Sequence, residues 1–114
     1  MVRIYHNNRC SKSRATLALL EQHGSDIEVI NYLDTPPSAI ELSQMLKQLG
    51  MSARELMRHG EPEYQSLGLD NPALDDAALI AAMVANPRLI ERPIVVANGK
   101  AALGRPPEAV LKIL

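Results

Sequence analysis

Between Val2 and Tyr32 the sequence reads as strand, polar loop, helix and strand, and this short unit constrains the fold more than any other feature. Val2 to Tyr5 is a β-leaning run, and His6-Asn7-Asn8-Arg9-Cys10-Ser11-Lys12 is a polar loop. A helical segment then runs to Gly24, and Ile27 to Tyr32 is a second strand. A strand that reaches its neighbour through a helical crossover lies parallel to it. Near the other end, Ile94-Val95-Val96-Ala97, Asn98-Gly99 and Lys100-Ala101-Ala102-Leu103 make a hairpin signature, because Asn-Gly accepts the positive φ angles of a type I′ turn. A hairpin is antiparallel, so the sheet is expected to be mixed.

The residues between these strands read as helices. Asp34-Thr35-Pro36-Pro37 breaks regular structure, and Ser38-Ala39-Ile40-Glu41 has capping-box spacing before Leu42, Met45, Leu46 and Leu49 at one-face intervals. Gly50 stops that helix. Ser52-Ala53-Arg54-Glu55 repeats the box and begins a shorter helix that places Arg58 near its end. After a polar break at Asp70-Asn71-Pro72, Asp75 and Asp76 suit a helix start, Leu79, Ile80, Met83 and Val84 form its buried stripe, and Pro87 ends it. Pro106 and Pro107 open a C-terminal helix with Val110, Leu111 and Leu114 facing inward. At 114 residues the chain fits one domain. The expectation is a single α/β domain over 1–114 of thioredoxin-like plan, a four-stranded mixed sheet with flanking helices and a helical insertion over about residues 38–90.

Composition narrows the functions. A hydrophobic fraction of 46% against 22% charged residues is that of a chain with a packed core. No apolar run nears the roughly 20 residues of a membrane span, and the N-terminus lacks the apolar stretch of a signal peptide, so a cytoplasmic protein is expected. A formal charge of -1 gives no long-range attraction to nucleic acid or anionic lipid. Any anion must be held by a local cluster. Tyr5, Tyr32 and Tyr64 are the only aromatic side chains apart from histidine, which leaves no stacking platform for bases.

Cys10 is the only cysteine, so it has no internal disulfide partner and cannot supply a multi-thiolate zinc site. Either it packs as a small apolar side chain or it reacts with something external. Its position favours reaction. A cysteine at the start of a helix, with Arg9, Lys12 and Arg14 beside it, has its thiolate stabilised by backbone N–H groups and by positive charge. Ser13 makes the motif Cys-x-x-Ser, with no second thiol to resolve an intermediate, so Cys10 must be recycled by an external thiol.

The stretch His6-Asn7-Asn8-Arg9-Cys10-Ser11-Lys12-Ser13-Arg14-Ala15-Thr16-Leu17 resembles the active-site loop of the glutaredoxin-coupled arsenate reductase family. Glu55-Leu56-Met57-Arg58, Glu91-Arg92-Pro93-Ile94-Val95-Val96 and Gly104-Arg105-Pro106-Pro107-Glu108 match the later arginine motifs of that family, in order and at matching intervals. The resemblance implies that Cys10 is the nucleophile and that Arg58, Arg92 and Arg105 clamp the arsenate oxyanion. The arsenic is then reduced with glutathione and glutaredoxin as cosubstrates, and no cofactor or metal is bound. It also implies that His6 helps to keep the thiolate ionised, where it otherwise reads as a polar residue ending a strand, and that the Arg92-Pro93 bond is cis; Ser13, Arg14 and Pro93 are supporting candidates, Arg14 like Arg9 reading either as electrostatic support or as a surface charge. The chain would act as a monomer on a small oxyanion, with no nucleic-acid or membrane partner. An arginine clamp is sound chemistry, since an oxyanion repels a thiolate unless fixed cations neutralise it.

The loop departs from the family pattern at Asn8, where a proline is usual, and at Ser11-Lys12, where Gly-Thr is usual. Two other readings stand beside the reductase. One is a glutathione-linked thiol transferase that uses the same thiolate without arsenate. The other is a non-enzymatic module like the related Spx regulators, with the exposed faces of the inserted helices, roughly Ser38 to Gly68, as its contact surface. Singly, each clamp arginine also reads as a surface charge paired to a nearby glutamate, Glu55 or Glu61 for Arg58 and Glu91 for Arg92.

Overall fold

The computed structural model describes residues 1–24 and 26–114, which divide into two compact units. The first comprises Met1–Thr35 and Arg92–Leu114, and the second Pro36–Glu91.

The first unit holds the sheet. Its strands are β1 (Val2–His6), β2 (Ile27–Asn31), β3 (Ile94–Ala97) and β4 (Lys100–Leu103), in the spatial order β2-β1-β3-β4. Helix α1 (Ser11–Gln22) joins β1 to β2, and the two strands are parallel, with Val2 opposite Ile27 and His6 opposite Asn31. The β1–β3 and β3–β4 pairs are antiparallel. The expected thioredoxin-like mixed sheet is therefore present. At the β3–β4 turn Asn98 and Gly99 have φ of 54° and 73°, the left-handed pair that a type I′ turn requires, and Asn98 Nδ2 donates to the Ile113 carbonyl at 2.8 Å. Val2, Ile4, Leu20, Val95, Ala97, Val110 and Ile113 form one buried cluster between the sheet, α1 and a C-terminal 3-10 helix (Pro107–Ile113).

That last segment differs from the expected α-helix. A 3-10 helix repeats every three residues, so Pro107, Val110 and Ile113 fall on one face. Val110 and Ile113 are buried, Leu114 packs at the edge of the cluster, and Leu111 is turned outward at 36% exposure. Ile113 takes the inward place that an α-helical period gives to Leu111.

The second unit, inserted in sequence between β2 and β3, is helical. Helix α2 (Ala39–Leu49) starts on a complete capping box between Ser38 and Glu41 and ends at Gly50, whose φ of 69° is left-handed. Helix α3 (Ala53–Leu56) starts on a second box, Ser52 with Glu55. Helix α4 (Pro62–Ser66) begins with proline at its first position, and α5 (Asp76–Ala85) is capped by Asp75, whose carboxylate accepts from Ala78 N at 2.9 Å. Leu79 and Met83 are buried, whereas Ile80 and Val84 are half-buried, so the apolar stripe of α5 is narrower than its sequence indicates. Among the described residues no helix is long and apolar enough to cross a membrane.

One contact fixes the C-terminal part of the first unit against α1. Gly104 N donates to the Pro93 carbonyl at 3.0 Å, and a Cβ at Gly104 would run into the Thr16 hydroxyl and stand 2.7 Å from Pro93 Cγ. Thr16 is itself tied back to α1, its hydroxyl donating to the Lys12 carbonyl at 2.7 Å. Nothing larger than hydrogen fits. We expect Gly104→Ala to cost about 2 kcal/mol by overpacking, read as a lowered urea midpoint at unchanged m-value.

Candidate functional site

Cys10 occupies the N-cap of α1 with extended backbone angles (φ -96°, ψ 121°), and its carbonyl accepts the first helical bond from Arg14 N at 3.0 Å. The loop before it is a tight turn. Asn7 accepts from Cys10 N through its backbone carbonyl and from Arg9 N through its side-chain oxygen, both at 3.0 Å. This Asx arrangement suits asparagine, whose short amide bonds to the backbone two residues on. Arg14 NH1 reaches back to the Asn8 carbonyl at 2.8 Å. The loop is thus pinned from inside the turn and from α1.

Three groups act on the Cys10 sulfur. Partial burial pushes the thiol pKa up, but the Ser13 N–H, the Arg92 guanidinium and the Lys12 N–H all favour the anion and together bring it below the ordinary thiol value. The thiol itself makes no capping hydrogen bond; what the helix end favours is the thiolate. Because the folded thiol ionises at lower pH than an unfolded one, its ionisation adds stability above the unfolded value. That contribution is lost as pH falls through the folded value.

Arg92 does two jobs. Its guanidinium favours the Cys10 thiolate, and its backbone carbonyl accepts from Arg105 Nε at 2.9 Å. That bond joins the two arginine-bearing loops of the first unit, one before β3 and one after β4. Both arginines precede cis prolines, Arg92-Pro93 and Arg105-Pro106. The first cis bond was expected from the resemblance, and the second was not.

His6 is buried at 3% exposure, and its nearest polar contact is Ser13. Its Nδ1 lies 2.6 Å from Ser13 Oγ, which also accepts from Asn7 N at 3.0 Å. The ring's other nitrogen, Nε2, faces Asn8 Oδ1 at a long 3.4 Å. His6 thereby holds Ser13, fully buried at 0% exposure, and Ser13 lends its backbone N–H to the sulfur. Pattern reading missed this link, because the three partners are spread over His6 to Ser13 and meet only when strand, turn and helix are in place.

Arg58 lies in the second unit. Its backbone N donates to the Leu89 carbonyl at 2.7 Å, beside a bridge between Met57 and Ile90. Its guanidinium pairs with Glu61 at 3.3 Å and with Glu91 at 3.1 Å, and Arg88 shares Glu61 at 3.0 Å. Glu55, the other partner considered, is taken up by the Ser52 capping box. Among the described residues no group of three His, Cys, Asp or Glu side chains is arranged to hold a metal ion.

The chain is similar to known proteins over nearly its whole length. A family model described as the ArsC family matches residues 5–113. The chain is 60% identical over 114 residues to the uncharacterized protein YfgD of Escherichia coli, covering 99% of this chain and 96% of that one. It is 54% identical over 114 residues to an arsenate reductase of Neisseria meningitidis serogroup B, covering 99% and 97%. The solved arsenate reductase from Vibrio cholerae superposes with a TM-score of 0.96 at 56% identity, over 99% of this chain and 97% of that one.

Removing the Arg92 guanidinium should raise the Cys10 pKa, since a cation that favours the anion is lost. We expect the pH midpoint of Cys10 alkylation by iodoacetamide to move up in Arg92→Ala and to be partly restored in Arg92→Lys. An unmoved midpoint would show that the helix end alone sustains the thiolate.

Proposed function

The chain belongs to the ArsC family, and on that premise we propose that it is an arsenate reductase in which Cys10 is the nucleophile. The observation that carries the reading is the thiolate of Cys10 stabilised by Arg92, whose backbone in turn holds Arg105. A thiol transferase would use the thiolate that Arg92 stabilises but meets no tetrahedral oxyanion for Arg105 to hold. An arsenate reductase does, and its thiolate, attacking arsenic, approaches a charged group and needs fixed cations to offset the repulsion.

The thiolate sulfur forms a bond to arsenic(V), and an arsenate oxygen leaves as water once protonated. Reduction to arsenic(III) takes two electrons, and Cys10 by itself supplies no route to both. With Ser13 where a resolving thiol would stand, the electrons come from external thiols, which end as a disulfide; water then cleaves the Cys10 sulfur–arsenic(III) bond, releasing arsenite and returning the Cys10 thiol. Glutathione with glutaredoxin is the donor system the family resemblance implies. Arg92 and Arg105 hold the oxyanion from the first unit. The resemblance assigns Arg58 the third place, where its planar fork would exchange a carboxylate partner for an oxyanion.

The test is a glutaredoxin-coupled assay of arsenate reduction. Cys10→Ser should abolish turnover, and Arg105→Ala and Arg58→Ala should each lower kcat/KM for arsenate by about 100-fold, the scale of one lost charge-stabilising donor. Full activity of Cys10→Ser would sink the mechanism. Turnover of a glutathione mixed disulfide with none of arsenate would favour the transferase.

A further inference from the structure

A cavity of about 340 Å³ in the first unit takes no part in the reaction as described so far, and it adjoins the nucleophile loop. Its walls are His6, Asn8 and Arg9 from the end of β1, and Asn31, Leu33 and Asp34 from the end of β2. The topology explains why these meet. β1 and β2 are parallel with His6 opposite Asn31, so both chains leave the sheet at the same edge.

The chemistry of the walls is specific. Arg9 and Asp34 carry opposite charges, yet neither the guanidinium nor the carboxylate has a hydrogen-bond or ion-pair partner among the described residues. Two opposite charges that line one cavity without closing on each other suit a ligand bearing both signs a short distance apart. An α-amino-acid group does so, with its carboxylate for Arg9 and its ammonium for Asp34. The side-chain amides of Asn8 and Asn31 add neutral donors and acceptors, and Leu33, 40% exposed, adds an apolar wall. The turn that carries Arg9 also carries Cys10, through the bond from Cys10 N to the Asn7 carbonyl.

We propose that this cavity is the subsite for the γ-glutamyl end of the thiol cosubstrate, so that a glutathione-type thiol is anchored by its zwitterionic head beside Cys10. The inference rests on the thiol-dependent reading given above and adds the location and the residues. Glutathione fits because its γ-linkage leaves the α-amino and α-carboxylate groups free and separates them from the sulfur by several bonds. Arg9 and Asp34 bind the cosubstrate here and leave the oxyanion to the arginines after the sheet's later strands.

S-methylglutathione, which has no free thiol, tests the subsite apart from any reduction. Titrated into Cys10→Ser, it should shift the backbone amide resonances of Asn8, Arg9, Asn31 and Asp34. Asp34→Asn and Arg9→Gln in that background should each weaken binding about tenfold, the scale of one charge-assisted hydrogen bond. In turnover, Asp34→Asn should raise the KM for glutathione about tenfold at unchanged KM for arsenate. With 2-mercaptoethanol, which lacks the zwitterion, it should match the parent protein. Undiminished S-methylglutathione binding in both variants overturns the proposal, as does an arsenate KM that rises together with the glutathione KM. A chain that reduces no arsenate but binds S-methylglutathione through Arg9 and Asp34 refutes the function and keeps the subsite. Arsenate reduction that is indifferent to both substitutions does the reverse.

Discussion

The electrostatic support that the Arg92 guanidinium gives the Cys10 thiolate is the interaction on which the rest of the first unit turns. A partly buried thiolate is costly, and the end of α1 offsets only part of that cost through two N–H groups. The remainder comes from a guanidinium far away in sequence. To deliver it, the chain must return to the sheet, place β3 against β1 and enter that strand through Arg92-Pro93. Gly104 then lets the following loop close on Thr16 and Pro93, which brings Arg105 to the Arg92 carbonyl. Fold and site are one construction here: a side chain larger than hydrogen at Gly104 would move the loop that bears Arg105.

Much of this was legible in the sequence, and what was legible was local. The Ser38–Glu41 and Ser52–Glu55 boxes, the Asp75 cap, the left-handed stop at Gly50 and the Asn98-Gly99 turn all formed as expected, because each is decided by side-chain-to-backbone bonding within a few residues. The mixed sheet followed from the order of those elements. The misread positions were those settled by packing. Leu111 was expected inside on an α-helical period and lies outside because the segment winds as a 3-10 helix. Helix α4 has no apolar stripe to announce it, and none of its residues is buried.

The site divides in the same way. Cys10 at a helix start is visible as a loop between a strand and a helix, and the arginine motifs are visible through family resemblance. The contact of His6 with Ser13 is not visible, because it forms only once strand, turn and helix bring the two side chains and the Asn7 N–H together. Nor was the choice among glutamates around Arg58, where Glu55 had a nearer claim in its own capping box. Contacts made over long sequence separation carry no periodic signal, and competition between partners is settled only by geometry.

The strand order β2-β1-β3-β4 has a bearing on how the chain is made. β1 is made before the other three strands and sits inside the finished sheet, yet its antiparallel neighbour begins at Ile94, after the whole helical segment has been synthesised. Until then one side of β1 is an open edge with Ile4 and Tyr5 uncovered by β3, and the Cys10 loop exists without the guanidinium that tames its sulfur. The guanidinium that favours the thiolate thus lies on the C-terminal side of the whole helical segment, and its support for Cys10 depends on β3 having reached β1.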